Sequence, residues 1–253
     1  MCSSDLQQTR MTVISNNLAN VNTTGYKRDR AVFEDLLYQR LVQAGGQTSA
    51  NTSAPTGMML GTGTKVVATE KMHAQGNMVM TQNALDIAVS GDGFFQILQP
   101  DGTVAYTRDG SFKLSPTGQL ITSGGALLQP TIQVPNNAQS ITIGADGVVS
   151  AKIFGTAEQQ VLGNLQLARF INPAGLESIG QNLLRANAAS GPVQQLKPGT
   201  NGAGQLVQGA LEASNVNVVE EMVNMIETQR AYEINSKAIS AADQMLKFIN
   251  TNM

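Results

Sequence analysis

The chain has 253 residues, 42 % of them hydrophobic and only 13 % charged, with a net charge of −2 and a single cysteine, Cys2. That length buries a real core and leaves room for more than one domain, while the charged share is about half the usual one. The charge balance excludes the basic footprint that nucleic acid demands, and one cysteine excludes an internal disulfide.

From the N-terminus, Leu6 to Val21 reads as a helix, with Met11, Ile14, Leu18 and Val21 at the 3-4-3 spacing of a coiled-coil seam. It runs into Asn20-Val21-Asn22-Thr23-Thr24-Gly25, where Asn and Gly tolerate the left-handed turn that ends a helix. Asn16, Asn17 and Asn20 add more amides than capping requires, which suits hydrogen bonding along a junction with a neighbouring chain. Ala31 to Gln43 reads as a second, short helix, with Phe33, Leu36, Leu37 and Leu41 on one side. Gly45 to Gly63 has connector composition, and its apolar knot of Met58, Met59 and Leu60 suggests docking. Thr64 to Thr69 favours a strand.

From Leu85 the character changes to short β-type runs punctuated by turns: Leu85–Val89, Phe94–Leu98, Val104–Thr107, Gln119–Thr122, Ile141–Ile143, Val148–Ile153 and Leu165–Phe170. Asp101-Gly102 is a hairpin signal. Gly91-Asp92-Gly93 has no helix after it to form a phosphate loop; Gly93 makes a tight turn, and Phe94 and Phe95 anchor the core. Ser190 to Gly204 reads as a returning loop.

The last segment, Asn217 to Ile249, holds neither Gly nor Pro and reads as one long helix of about 50 Å at about 1.5 Å per residue. Two apolar lines run along it. One passes through Val218, Met222, Met225, Tyr232, Ile239 and Leu246; the other includes Val219, Val223, Ile226, Ile234, Met245 and Phe248. Gln229, Ser236 and Asp243 interrupt the first line at positions spaced to face the core and to fix register between helices. The shorter N-terminal helix cannot cover both lines, so the surplus face reads as a contact with other molecules. The fold class expected is therefore α+β: terminal helices packing as a coiled-coil-like domain, with an all-β domain inserted between them. The boundaries expected are 1–44 for the first helical segment, 45–84 for the connector, 85–204 for the β domain and 205–253 for the long helix.

Side-chain chemistry is sparse. His73 is the only histidine, and its surroundings show no metal-ligand spacing, so it reads as structural or solvated. No catalytic residue, metal site or cofactor is expected. No apolar run reaches membrane-span length, and no basic region leads into an apolar core at the start, so neither membrane insertion nor a cleaved signal is expected.

Several stretches carry a resemblance. NNLANVNTTGYK (16–27) and SNVNVVEEMVNMIETQRAYEINSKAISAADQML (214–246) resemble the terminal signatures of flagellar axial proteins, the rod and hook family. SGDGFFQI, DGTVAYTRDGSFKL and GQLITSGGALLQP are similar to the family's β-domain motifs, and RAVFEDLLYQ, the connector and GLESIGQNLL resemble its rod members. Family members begin with a longer helix, a pattern that Met1-Cys2-Ser3-Ser4-Asp5 does not continue. The resemblance implies a non-enzymatic subunit, exported through the flagellar type III apparatus, that polymerises helically into a rigid rod crossing the periplasm. Its implied partners are copies of itself, proximal rod proteins, the hook protein, and the P-ring and L-ring proteins. The self-assembly residues would be Met11, Ile14, Asn16, Asn17, Leu18, Asn20, Val21, Gly25, Met222, Met225, Ile226, Gln229, Tyr232, Ile239, Met245 and Leu246. Two alternatives stay open: another axial subunit of rod or hook type, or a β-domain binding module held by helices.

Overall fold

Helical periodicity at both ends and alternation in the middle give a helix–strands–helix chain, as the sequence suggests. The computed structural model describes residues 3–42, 47–49, 52–53, 56–155 and 158–251. The fold class is α+β, with one helix at each end and a strand-rich middle. The chain divides into two units. One comprises residues 1–18, 29–70 and 218–253; the other comprises 19–28 and 71–217.

The first unit holds helix α1 (Ser3–Ala19), then strands β1 (Asp29–Asp35), β2 (Tyr38–Val42), β3 (Gln47–Ser49), β4 (Thr52–Ser53), β5 (Met58–Gly61) and β6 (Thr64–Lys71). The short helix expected from Ala31 does not form; residues 29–42 are extended, and Gln43 lies outside the described residues. The physical reason is that a helix of this length is marginal without a packed face, whereas the neighbouring segments supply strand partners. β1 pairs with β6, and β2 pairs with β5 through Tyr38↔Gly61, Gln39↔Leu60 and Arg40↔Met59. Exposed ion pairs Arg30–Glu70 (3.0 Å) and Lys65–Glu34 (3.2 Å) bridge β1 and β6. The knot Met58, Met59 and Leu60 lies on β5, and all three side chains are exposed. Within the expected connector, residues 45–46, 50–51 and 54–55 lie outside the described residues.

The second unit opens with β7 (Met78–Met80), β8 (Ile87–Ser90), β9 (Phe95–Leu98), β10 (Val104–Thr107), β11 (Lys113–Leu114), β12 (Leu120–Ile121) and β13 (Leu127–Gln129). It continues with β14 (Ala138–Ile143), β15 (Val148–Ile153), β16 (Gln159–Asn164), β17 (Leu167–Arg169), β18 (Glu177–Gly180) and β19 (Leu183–Arg185). It closes with β20 (Gln194–Leu196), inside the expected returning loop, β21 (Gln205–Gln208) and β22 (Ala210–Glu212). The largest sheet runs β11-β12-β13-β9-β10-β19-β18, and β14-β15-β16 forms a second sheet. Asp101-Gly102 turns the β9–β10 hairpin, with the Gly102 N–H donating to the Gln99 carbonyl at 3.0 Å.

Two consecutive phenylalanines serve two separate cores because successive strand side chains point to opposite faces. Phe95 and Ile97 enter the main core with Ile87, Val89, Phe112 and Leu128. Phe95 meets Phe112 edge-on at 5.1 Å. Phe94 joins Tyr106, Phe170, Leu176 and Leu184 on the other side, with Phe170 edge-on to Tyr106 at 4.8 Å. Gly93, at φ 140°, makes the turn ahead of them. A Cβ there would stand 3.2 Å from the Leu167 Cβ.

Helix α2 (Val218–Thr251) completes the first unit. Its 34 residues span about 51 Å at about 1.5 Å per residue.

Candidate functional site

The surface of α2 inverts the usual distribution. Among its described residues only Glu221, Asn224, Met225, Thr228, Ala231 and Asn235 are buried or half-buried, at spacings of three and four that make one narrow seam. That seam is mostly polar or small. Met222, Val223, Ile226, Tyr232, Ile234, Ile239, Met245 and Phe248 are 48–72 % exposed. Single exposed apolar residues are ordinary, but two lines of them running along one helix mark an interaction surface. The side chain of Leu246 lies outside the described residues.

On α1 the covered residues are Ile14 and Asn17, with Met11 and Leu18 half-buried and Asn16 exposed. Asn17 is a hydrogen-bonded corner. Its Oδ1 accepts the Asp29 N–H at 2.8 Å, and its Nδ2 donates to the Asp29 carbonyl at 2.9 Å and to Glu221 Oε2 at 3.4 Å. Thus the last turn of α1 meets the first turn of α2 through a polar pair. The exit from α1 is a turn in which the Thr23 N–H reaches the Asn20 carbonyl at 3.1 Å, with Asn20 and Val21 half-buried. Gly25 closes it at φ 68°, where a Cβ would lie 2.7 Å from the Asp109 nitrogen, so only glycine fits.

A second feature lies wholly within the second unit. Glu212, on β22, is 1 % exposed and carries two cations. Lys27 Nζ donates to Glu212 Oε1 and to the Ala74 carbonyl, and Arg108 Nε stands 2.9 Å from Glu212 Oε2. Arg108 also donates to the carbonyls of Gly91 and Gly93. Burial pushes the Lys27 ammonium and the Arg108 guanidinium below their ordinary values, and the Glu212 carboxylate opposes that shift. Beside them a cavity of about 160 Å³ is lined by Lys27, His73, Phe94, Arg108, Arg169 and Phe170, among others. His73 meets the Phe94 ring edge-on at 5.5 Å. Burial first, and then the charges of Lys27 and Lys71, lower its pKa to about 4. This arrangement is poorly suited to proton transfer: the carboxylate is committed to two cations and the imidazole stays neutral near pH 7.

The sequence candidates therefore separate into three places. Asn17 and Ile14 are covered on α1; Met222, Ile226, Tyr232, Ile239 and Met245 are exposed on α2, with Met225 half-buried; Gly93, Phe94 and Phe95 are inside the second unit. Gln229, Ser236 and Asp243, expected to face a core, are exposed; the covered polar positions are Glu221, Asn224, Thr228 and Asn235. Sequence reasoning missed Glu212 and Arg108. The signal available was a lone acid directly after Ala210-Leu211, in a chain with few charges.

Comparison with known proteins gives a consistent picture. A family model for the "Flagellar hook protein FlgE/F/G D1 domain" matches residues 88–151. Models for the "Flagellar basal body rod FlgEFG protein C-terminal" and the "Flagella basal body rod protein" match residues 207–252 and 5–27. The chain is 54 % identical over 243 residues to the flagellar basal-body rod protein FlgG of Buchnera aphidicola subsp. Acyrthosiphon pisum, covering 96 % of this chain and 94 % of that one. It is 51 % identical over 246 residues to FlgG of Borreliella burgdorferi, covering 96 % and 93 %. It is 33 % identical over 261 residues to the flagellar hook-basal body complex protein FlhP of Bacillus subtilis, covering 96 % and 94 %.

Proposed function

The chain belongs to the FlgG family of flagellar basal-body rod proteins, and we propose that its subunits polymerise into the distal rod through the exposed apolar face of α2. It is a structural subunit of that rod, in a family of structural proteins. The observation that carries the polymerisation reading is the inversion on α2, where polar residues take the covered seam and Ile226, Ile239, Met245 and their neighbours face outward. Covering the exposed part of each of these large side chains contributes about 1–2 kcal/mol before the costs of association. In this reading the terminal helices of adjacent subunits pack as a coiled-coil-like tube, and Met11, Leu18, Met222, Tyr232 and Leu246 join that contact. Asn16, Asn20 and Gln229 fix the register of the junction beside Val21, while Asn17 and Gly25 hold its shape from inside the subunit.

The strand-rich region 85–204 forms the outer layer, and helical segments within 1–44 and 205–253 form the inner one. The connector 45–84 packs between subunits: Met58, Met59 and Leu60 on it, and Leu37 and Tyr38 ahead of it, are all exposed on the free chain, and a second subunit would cover them. The rod crosses the periplasm as a drive shaft. Its neighbours are the proximal rod proteins, the hook protein, and the P-ring and L-ring proteins; export runs through the flagellar type III apparatus without signal cleavage.

Ile226→Asp tests the proposal. Ile226 is 48 % exposed, so the free subunit should stay folded, with an unchanged circular dichroism spectrum. Polymerisation followed by sedimentation and electron microscopy should be lost. Wild-type rods from this variant would refute the reading.

A further inference from the structure

The chain passes between its two units four times, at 18/19, 28/29, 70/71 and 217/218. Three of these crossings are stitched to one another inside the second unit. Asn215, just before α2, commits both donors of its amide nitrogen and its amide oxygen to the other two. Its Oδ1 accepts the Arg28 N–H at 2.8 Å, and its Nδ2 donates to the carbonyls of Met72 (2.8 Å) and Ala74 (3.0 Å). The Met72 N–H donates to the Arg28 carbonyl at 2.9 Å. Three residues earlier, Glu212 repeats the pattern with charge. Its carboxylate takes Lys27 from the first segment, the Gly76 N–H (2.9 Å) from the second and Arg108 from the β9–β10 side of the sheet, while its backbone carbonyl accepts the Gly25 N–H at 2.8 Å.

A buried ion cluster is a poor way to gain stability, because desolvation offsets most of the attraction and apolar side chains of equal volume do as well or better. What charge and amide groups supply instead is direction. The Glu212 carboxylate meets its partners only when Lys27, Gly76 and Arg108 are all in place, and its backbone carbonyl only when Gly25 is; a leucine side chain there would accept any of several registers.

We propose that Glu212 and Asn215 are positioning residues that rivet three chain crossings into one block, so that load arriving along any one of them is shared by the others and by the core of the second unit. The mechanical purpose rests on the rod reading above; the local claim does not, and it is tested on the free subunit. The measurement is amide hydrogen exchange of the full chain by NMR, for wild type, Glu212→Gln and Asn215→Ala. Reporters are the amides of Arg28, Met72 and Gly76. The references are Val134 and Leu165, whose N–H groups bond to the carbonyls of Gly118 and Gly147 elsewhere in the same unit.

In both variants the reporters should exchange about tenfold faster or more while the references stay unchanged, the signature of a local release. Unchanged reporters would overturn the proposal. So would an equal acceleration of reporters and references, which would make the cluster a general core support. If Glu212→Gln does not fold, Asn215→Ala decides between the same outcomes, because it leaves the ion cluster intact. Loss of polymerisation with normal exchange would count against the rivet and leave the α2 contact standing.

Discussion

The second unit and helix α2 bury opposite kinds of residue. In residues 71–217, Phe95, Ile97, Phe112 and Leu128 are at most 2 % exposed and the charged groups that go inside meet partners. Along α2 the covered seam is Glu221, Asn224, Met225, Thr228, Ala231 and Asn235, mostly polar or small, and Ile226, Ile234, Ile239, Met222, Met245 and Phe248 face outward. The β unit has therefore closed a core of large apolar side chains within one chain, although Phe154, Ile171 and Met80 stay exposed on it. The helix has kept its own for a neighbour. Two criteria that usually travel together, being folded and having apolar groups buried, come apart along a single polypeptide, and the distal rod subunit needs both halves of that division.

Matched substitutions in the two regions test the division most strongly. Phe95→Ala should cost the free subunit about 3–5 kcal/mol, measured by chemical denaturation, since it empties a fully buried aromatic site. Ile239→Asp, an equally drastic change on α2, should alter the same transition by about 0.5 kcal/mol or less. Comparable losses from both would erase the contrast.

Next in size is an acid sensitivity confined to the β unit. His73 has a pKa of about 4 when folded, against 6.5 ordinarily. Above about pH 7 both states are neutral and the residue costs nothing. As pH falls through 6.5 the unfolded chain takes up a proton that the folded chain refuses, so stability drops, reaching a loss of about 3 kcal/mol near pH 4. His73→Gln should remove this part of the pH profile in denaturation experiments at pH 4 to 7. An unaltered profile would show that the imidazole is not held neutral by its surroundings.

Smaller still is the difference within α2. Beyond Asn235 every described side chain is exposed, so burial adds little to the C-terminal half of the helix. Residues 236–245 should exchange amide hydrogens rapidly in the free subunit, while Leu128 and Val149 stay protected; strong protection at both would contradict this. On β5, Met59→Ser should leave the free subunit within about 0.5 kcal/mol of wild type yet lower the bending stiffness of assembled rods, measured by electron microscopy.

Much of this was legible before any coordinates. Alternation alone places β10 at Val104–Thr107 and β15 at Val148–Ile153, and unbroken periodicity gives α2 to within a few residues. The helix expected over Ala31 to Gln43 does not form, for a physical reason. Phe33, Leu36, Leu37 and Leu41 fit a helical face, but which structure forms depends on partners β5 and β6, which a local pattern does not reveal. β13 and β19 escape a sequence reading for the same cause, since β13 pairs with β9 and β19 with β10, both distant in sequence; β16 pairs with β15 just before it, but its Gln159–Asn164 run has no apolar alternation to reveal it. Of the candidate site, the apolar lines on α2 were visible from spacing. The cluster of Lys27, Arg108 and Glu212 was not, because three isolated charges become one feature only after folding.

Thiol labelling of Ile239→Cys in a Cys2→Ser background, compared between free subunits and assembled rods, examines the α2 contact itself. Ile239 is 58 % exposed on the free chain, so a maleimide should react rapidly there and be blocked by at least tenfold once rods form. Equal labelling rates in the two states would mean that this face of α2 stays in solvent after assembly, and that subunits join through some other surface.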